Sequence, residues 1–385
     1  MHKPARSFTC VALIASATFI IVSVEAFRRD PESVSLERTS GTGGYSFLAD
    51  SVLPIIYDPN SEDGREALGI PPSEVPELAQ VKFVPFRVRR GDDASCLNLY
   101  APQDPRILGA THPFLADARF SFQDSVAAGP EQKRNPWLLL ESGLENGAIP
   151  AIADANTIQY ILHLSIGREL VVRGSTGAPV RLRLVAALRD SILQGGLVIS
   201  EANFLRAFPN QDGYQFFLLD VPLARAEALA QSLMERMADW GLNVESARDR
   251  LAAFHRVENT YLSTFQSLGV LGLLLGTAGL AAVLLRNVLE RRGELALLRA
   301  LGYRREILSA VVVAENLVLI VAGLACGTVS AGLAIVPALH ARGTPFPFVM
   351  VGVVLTAVFF AGLTASFLAV VLAFRSPLLD ALRSE

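Results

Sequence analysis

The sequence predicts an α-helical membrane protein with four transmembrane helices and a large extracytoplasmic mixed α/β domain between helices 1 and 2. Three observations lead there. Of the 385 residues only 18% are charged and 51% are hydrophobic, the apolar residues gather into four long runs, and the cations outside the polar stretch sit in short segments. Soluble domains carry about a quarter charged residues, and a mean hydropathy of +0.38 marks the excess apolar content.

The runs come first. Phe8 to Val24 has no charge over 17 residues, Asn259 to Leu285 none over 27, and Pro345 to Phe374 none over 30, while Ile307 to Leu339 is broken only by Glu315. A helix needs about 20 apolar residues to cross about 30 Å of hydrocarbon. Three runs meet this requirement and the first meets it marginally. Met1 to Arg6, the first run and Val24-Glu25-Ala26 also follow the order of a signal peptide. The run exceeds the apolar length of about 7–15 residues usual there and the cleavage site is poor, so a retained helix is the stronger reading. The resulting layout is a tail at 1–7, transmembrane helices at 8–26, 263–285, 307–339 and 347–374, an exported domain at 27–258, a loop at 286–306, a short external loop at 340–346 and a tail at 375–385.

Charge sets the orientation. The stretch Phe27 to Glu258 holds 23 of the 34 Lys and Arg and 30 of the 37 acids. Of the 11 remaining cations, all but Arg342 lie in the N-terminal tail (Lys3, Arg6), the loop after the second run (Arg286, Arg291, Arg292, Arg299, Arg304, Arg305) and the C-terminal tail (Arg375, Arg383). Short Arg-rich loops stay cytoplasmic, whereas long domains translocate with little regard to charge. Both termini are therefore expected inside and the large domain outside.

Within the exported domain, Arg181-Leu182-Arg183-Leu184-Val185 alternates with period two, and Gly196–Ser200 and Phe216–Val221 are short β-rich runs. Ala224 to Trp240 places Leu229, Leu233, Met237 and Trp240 on one helical face, ended by Gly241. Strands and helices alternating over Glu169 to Val244 suggest a small two-layer βαβ-type fold. In Arg28 to Trp137, rich in Pro, Gly and turn residues, only Tyr45 to Ile56 reads as a strand.

From Ala247 the pattern changes. Leu251, Phe254, Val257, Tyr261, Phe265 and Leu268 recur every three or four residues with no Gly or Pro from Ala247 to Leu268, so a continuous helix is expected to enter the second span. Residues 247–262 are either a mechanical stalk, since stiff helices transmit displacement where Gly/Ser linkers absorb it, or an ordinary juxtamembrane helix.

Catalytic and ligand motifs are lacking in the sequence. There is no GxxxxGK[ST], HExxH or GxSxG, and Gly41-Thr42-Gly43-Gly44 lacks the lysine of a phosphate loop and reads as a turn. His2, His112, His163, His255 and His340 show no ligand spacing, and Cys10, Cys96 and Cys326 lie too far apart for a zinc or CxxC motif. Asp92, Asp93, Glu141 and Glu145 read as solvated surface. No catalytic, cofactor or metal residues are predicted. A net charge of −3 also removes the electrostatic footprint of a nucleic-acid binder.

The loop from Arg286 to Ile307 carries the most specific signal. Leu295, Leu298 and Leu301 recur among six arginines, a composition that alone would suit a helix on an anionic lipid surface. Its Arg291–Ile307 portion resembles the RRxELALLRALGxxRxxI segment joining the second and third spans of FtsX-like permeases, the MacB and LolC type of ABC transporter subunit. The Ala314-Glu315-Asn316 that follows, the short loop before the last span and the tail Ser376–Glu385 fit as well.

This resemblance places an FtsX-like C-terminal domain at about 263–380, with a MacB-like periplasmic core before it. It implies a multi-pass permease of the bacterial inner membrane, not itself an enzyme, that passes ATP-driven motion from a separate cytoplasmic ABC ATPase to the exported domain. Arg291, Glu294, Arg299, Gly302 and Arg305 are then the expected ATPase contacts. Some family members carry two such units in tandem. This chain reads as the C-terminal one, to be joined by a second permease half or a copy of itself. The alternative is a membrane sensor or scaffold with a ligand-binding ectodomain, against which stands the small cytoplasmic mass.

Glu315 and Asn316 are the polar residues singled out in the spans. If the third span starts at Ile307, Glu315 lies about 12 Å deep at a rise of about 1.5 Å per residue. A charge facing lipid at the helix centre costs about 2.5–3.5 kcal/mol on insertion scales. Alternatively the hydrocarbon begins at Leu317 and Glu315 sits among headgroups. At either depth the expectation is that both residues face other helices.

Overall fold

The computed structural model describes residues 4–28, 34–95, 102, 104–143, 147–175, 177–221, 226–290, 297, 301, 303–342 and 348–375. Contacts divide the chain into two units, Asp30–Glu258 and Met1–Arg29 with Asn259–Glu385. Helices run over Pro4–Phe27 (α1), Glu62–Ala67 (α2), His112–Ala116 (α3), Pro130–Arg134 (α4), Glu201–Ala207 (α5), Ala226–Arg236 (α6), Ala247–Glu290 (α7), Arg305–Arg342 (α8) and Phe348–Arg375 (α9).

The first unit is built on one ten-stranded mixed sheet. Its strands are Phe47–Ile55 (β1), Lys82–Arg89 (β2), Ile107–Ala110 (β3), Phe122–Ser125 (β4), Ile149–Asp154 (β5), Glu169–Arg173 (β6), Pro179–Leu188 (β7), Leu197–Ser200 (β8), Tyr214–Asp220 (β9) and Asn243–Ser246 (β10). They lie in the order β10-β1-β9-β2-β3-β8-β5-β7-β4, with β6 also paired to β7. β4 takes the C-terminal half of β7 and β6 its N-terminal half.

Successive side chains on a strand point to opposite faces, and here both faces are covered. Leu48, Phe216, Leu218, Val198 and Ile152 join Phe86, Phe114 and Trp137 in one core. Their neighbours Phe47, Ala49, Phe217 and Leu219 turn to the other face, against Leu229, Leu233 and Met237. Further along that face, Ala151, Ala153, Leu197 and Ile199 meet Phe204 and Phe208. Trp137 is fully buried, its indole N–H donating to the Arg119 carbonyl at 2.7 Å.

The expected βαβ architecture needs correction. Only β3/β8 and β5/β7 pair in parallel, and the other pairings are antiparallel. The first half of the unit supplies β2, β3 and β4 beside the expected strand. β2 contains Pro85, which lacks the N–H a central strand needs. Pro85 is tolerated because it pairs with Phe217 of β9, while pairing to β3 begins only at Phe86. The helix expected over Ala224–Trp240 is α6 followed by a 3₁₀ turn, Ala238–Trp240, with Gly241 at φ +63° as its left-handed cap.

In the second unit α1 packs against α8, and both meet α9. The buried positions of α8 are Asn316, Ile320, Gly323, Gly327, Ala331 and Ile335, spaced by threes and fours. An added Cβ at Gly323 would stand 2.8 Å from Ile14, and at Gly327 2.6 Å from the Ala15 carbonyl oxygen, so these glycines set how closely α1 and α8 approach. Val318, Val321, Val329 and Leu333 are exposed. A helix apolar all round is out of place in water. Among the described residues, the stretch Ser309–Pro337 (29 residues, mean hydropathy 2.2) is long and apolar enough to cross a bilayer, and Val11–Phe27 and Val351–Thr364 are shorter apolar helices.

Candidate functional site: the root of the long helix

α7 begins at Ala247, directly after the last residue of β10, with no linker. The Ala247 N–H donates to the Ser46 carbonyl at 3.0 Å, which ties the first turn to the residue before β1. Ala247, Leu251 and Phe254 then enter the core that holds Trp137. Fully burying a Leu or Phe side chain is worth about 1.5–3 kcal/mol each. The first turns of this helix are thus part of the α/β core.

Polar groups lock the same turns. His255, 7% exposed, places Nε2 2.9 Å from Asp190 Oδ2. Asp190 follows β7 in a left-handed conformation (φ +50°), strained for a non-glycine residue and held by its surroundings. Gly41 packs against it. An added Cβ would meet the Asp190 carbonyl oxygen at 1.8 Å and Leu251 Cδ2 at 2.9 Å, while the Gly41 carbonyl accepts from Ile192 N–H at 2.9 Å. The turn 41–44 is thus a packing element.

Behind Asp190 lies Asp154, the fully buried last residue of β5. One carboxyl oxygen accepts from Ser191 N–H at 2.6 Å and the other from Asn156 N–H at 2.9 Å. Burial and then the charge of Asp190 push its pKa up to about 7, and those amide donors only partly offset the rise.

A second charged cluster stands on the β9 side. Arg119 bonds Asp117 at 2.6 Å and Asp220 at 2.9 Å, and its guanidinium lies 4.3 Å from the Tyr45 ring centroid. Burial pulls its pKa down, but the bond to Asp220 and the Tyr45 and Asp117 interactions raise it on balance.

The residues singled out for ATPase contact fall elsewhere. Arg291, Glu294, Arg299 and Gly302 lie outside the described residues, and Arg305 is the first residue of α8. Asn316 is 3% exposed and stands on the buried row of α8, whereas Glu315, one position earlier, is on the exposed side. The root residues His255, Asp190, Asp154 and Gly41 carry no local signal, being drawn from four distant parts of the chain. Only the apolar register of Leu251 and Phe254 pointed to this surface.

Residues 267–378 match the family model described as FtsX-like permease C-terminal. The chain accordingly carries, over this segment, a domain similar to the C-terminal domain of FtsX-like permeases, entered through α7. Among solved structures, the chain is similar to the periplasmic region of MacB from Actinobacillus actinomycetemcomitans, at 7% identity over 54% of this chain and 91% of that one, with a TM-score of 0.29. It is also similar to the extracellular domain of the noncanonic ABC-type transporter YknZ from Gram-positive bacteria, at 12% identity over 52% and 99%, with a TM-score of 0.25. No curated protein matches the sequence.

Proposed function

We propose that the chain is the permease subunit of an ABC transporter complex and works by mechanotransmission. A separate cytoplasmic ATPase binds and hydrolyses ATP, the loop 286–306 receives the motion, and α7 carries it to the α/β unit outside the bacterial inner membrane. Export or the handling of an envelope substrate follows from that movement. The observation that carries this reading is α7 itself, one helix from Ala247 to Glu290. Its first turns are fixed in the α/β core, and from residue 267 it lies in the permease segment.

In this reading α1, the later part of α7, α8 and α9 are four spans with both termini cytoplasmic, and a second permease half or another copy completes the complex in the lipid bilayer. Arg291, Glu294, Arg299, Gly302 and Arg305 contact the ATPase. Glu315 and Asn316 act beside that loop, so Glu315→Gln should insert normally and weaken the coupling of ATP use to transport.

The test is a helix break. Ser263→Pro removes one hydrogen bond from the middle of α7 and costs about 3 kcal/mol or more locally. Expected are normal insertion and ATPase association with loss of transport. Full transport by this variant would overturn mechanotransmission. The double variant Glu294→Ala, Arg299→Ala should abolish stimulation of the co-purified ATPase, and phosphatase fused after Arg299 should be inactive where a fusion after Gly147 is active.

A further inference from the structure

β7 spans the α/β unit from end to end. Its C-terminal end leads to Asp190 and the root of α7, and its N-terminal end to the hairpin shared with β6. At a rise of about 3.3 Å per residue, the ten residues of β7 separate the two ends by about 33 Å. At the hairpin end lies an open cleft of about 440 Å³, walled by the end of β2, the hairpin and the segment between α5 and β9.

Its charge is unbalanced. Arg89, Arg90 and Arg173 line it, with Asp104 as the one acid. Arg89 is spoken for: it pairs with Asp104 and lies 5.2 Å from the Phe208 ring centroid. Arg90 donates to the Val52 carbonyl at 2.8 Å, and Gln215 donates to the same oxygen at 2.9 Å, so both are held in place by a neutral acceptor. The Arg173 side chain makes no hydrogen bond or ion pair among the described residues. Among the described residues two guanidinium charges, one of them positioned and the other free to close, thus face one cavity in which the one lining carboxylate, Asp104, is paired to Arg89. Guanidinium forks suit planar or tetrahedral oxyanions, which they bind through paired, charge-assisted hydrogen bonds.

We propose that this cleft is a binding site for a small organic oxyanion, a phosphate ester or a carboxylate, held by Arg90 and Arg173. The volume exceeds that of inorganic phosphate alone, which favours an anion carried on an organic body. The inference goes beyond transport and is independent of it, since binding at the cleft requires neither an ATPase nor movement of α7.

The test is calorimetric titration of the full chain in zwitterionic nanodiscs with glycerol 3-phosphate, citrate and inorganic phosphate. Expected is saturable binding of glycerol 3-phosphate or citrate, one per chain, weakened by added salt. Preference for glycerol 3-phosphate would mark a phosphate-ester site and preference for citrate a carboxylate site. Arg173→Gln removes no side-chain hydrogen bond or ion pair among the described residues and should fold as the parent. It should weaken binding about tenfold, while Arg168→Gln, an exposed arginine outside the cleft, should leave it unchanged. No saturable binding of any of the three up to about 10 mM would overturn the proposal, as would tightest binding of inorganic phosphate or binding that Arg173→Gln does not weaken.

Discussion

His255 on α7 and Asp190 after β7, 65 residues apart in sequence, meet through Nε2 and Oδ2 at 2.9 Å. This fastens the long helix to the end of an interior strand, because β7 is paired on both sides. A hydrogen bond that involves a charged group contributes about 1.5–3 kcal/mol. A double-mutant cycle with His255→Leu and Asp190→Asn should return a coupling of about that size in thermal unfolding. Additive effects would show that the pair is incidental.

Gly41→Ala should be more damaging than its single methyl suggests. The new Cβ would overlap the Asp190 carbonyl and crowd Leu251, and overpacking a filled core costs about 1–3 kcal/mol or more. A lowered melting temperature of the α/β unit is expected. An unchanged one would mean that the turn can shift freely.

Asp154 gives the unit a pH dependence of definite sign. Its pKa rises from an ordinary 3.8 to about 7 in the folded state. Between those values the native chain keeps a proton that the unfolded chain has released. The stability this provides is complete below about pH 4 and is lost as pH rises through 7, at up to about 1.4 kcal/mol per pH unit. Denaturant unfolding between about pH 5 and about pH 7 should show this decline, and Asp154→Asn should flatten it.

Gly327→Leu tests the packing of α1 on α8. The side chain would enter the space of the Ala15 carbonyl and Thr18, and close helix approach in lipid depends on small residues. Cysteines placed at Ala15 and at Gly327's neighbour Thr328 should crosslink in the parent and lose that crosslink in the variant. Retained crosslinking would show that the helices accommodate the side chain.

Legibility followed the range of the interactions involved. The strand at Tyr45–Ile56 and the helix through Leu251, Phe254 and Phe265 declared themselves, because their patterning is local and repeats. β3 and β4 did not, being four residues each, with Gly109 in one and the polar Gln123 and Asp124 in the other. Antiparallel pairing such as β1 with β9, about 170 residues apart, has no sequence period to betray it. At the helix root, His255 looked inert because its partner lies 65 residues away, after β7. One signal was present and unused: Gly323 and Gly327 stand four apart, a spacing known for close helix crossings in membranes.

The sheet's margins bear on how such a wide sheet avoids joining its neighbours. A wide sheet invites foreign chains to extend it wherever a long strand edge is left bare. Here one margin is β10, four residues long and continuing at once into α7, and the other is divided between β4 and β6, of four and five residues. They carry the exposed charges Asp124, Glu169 and Arg173, which resist being stacked against another strand. A newly folded chain thus ends its sheet in short, charged borders that give an aggregating neighbour little to lie along.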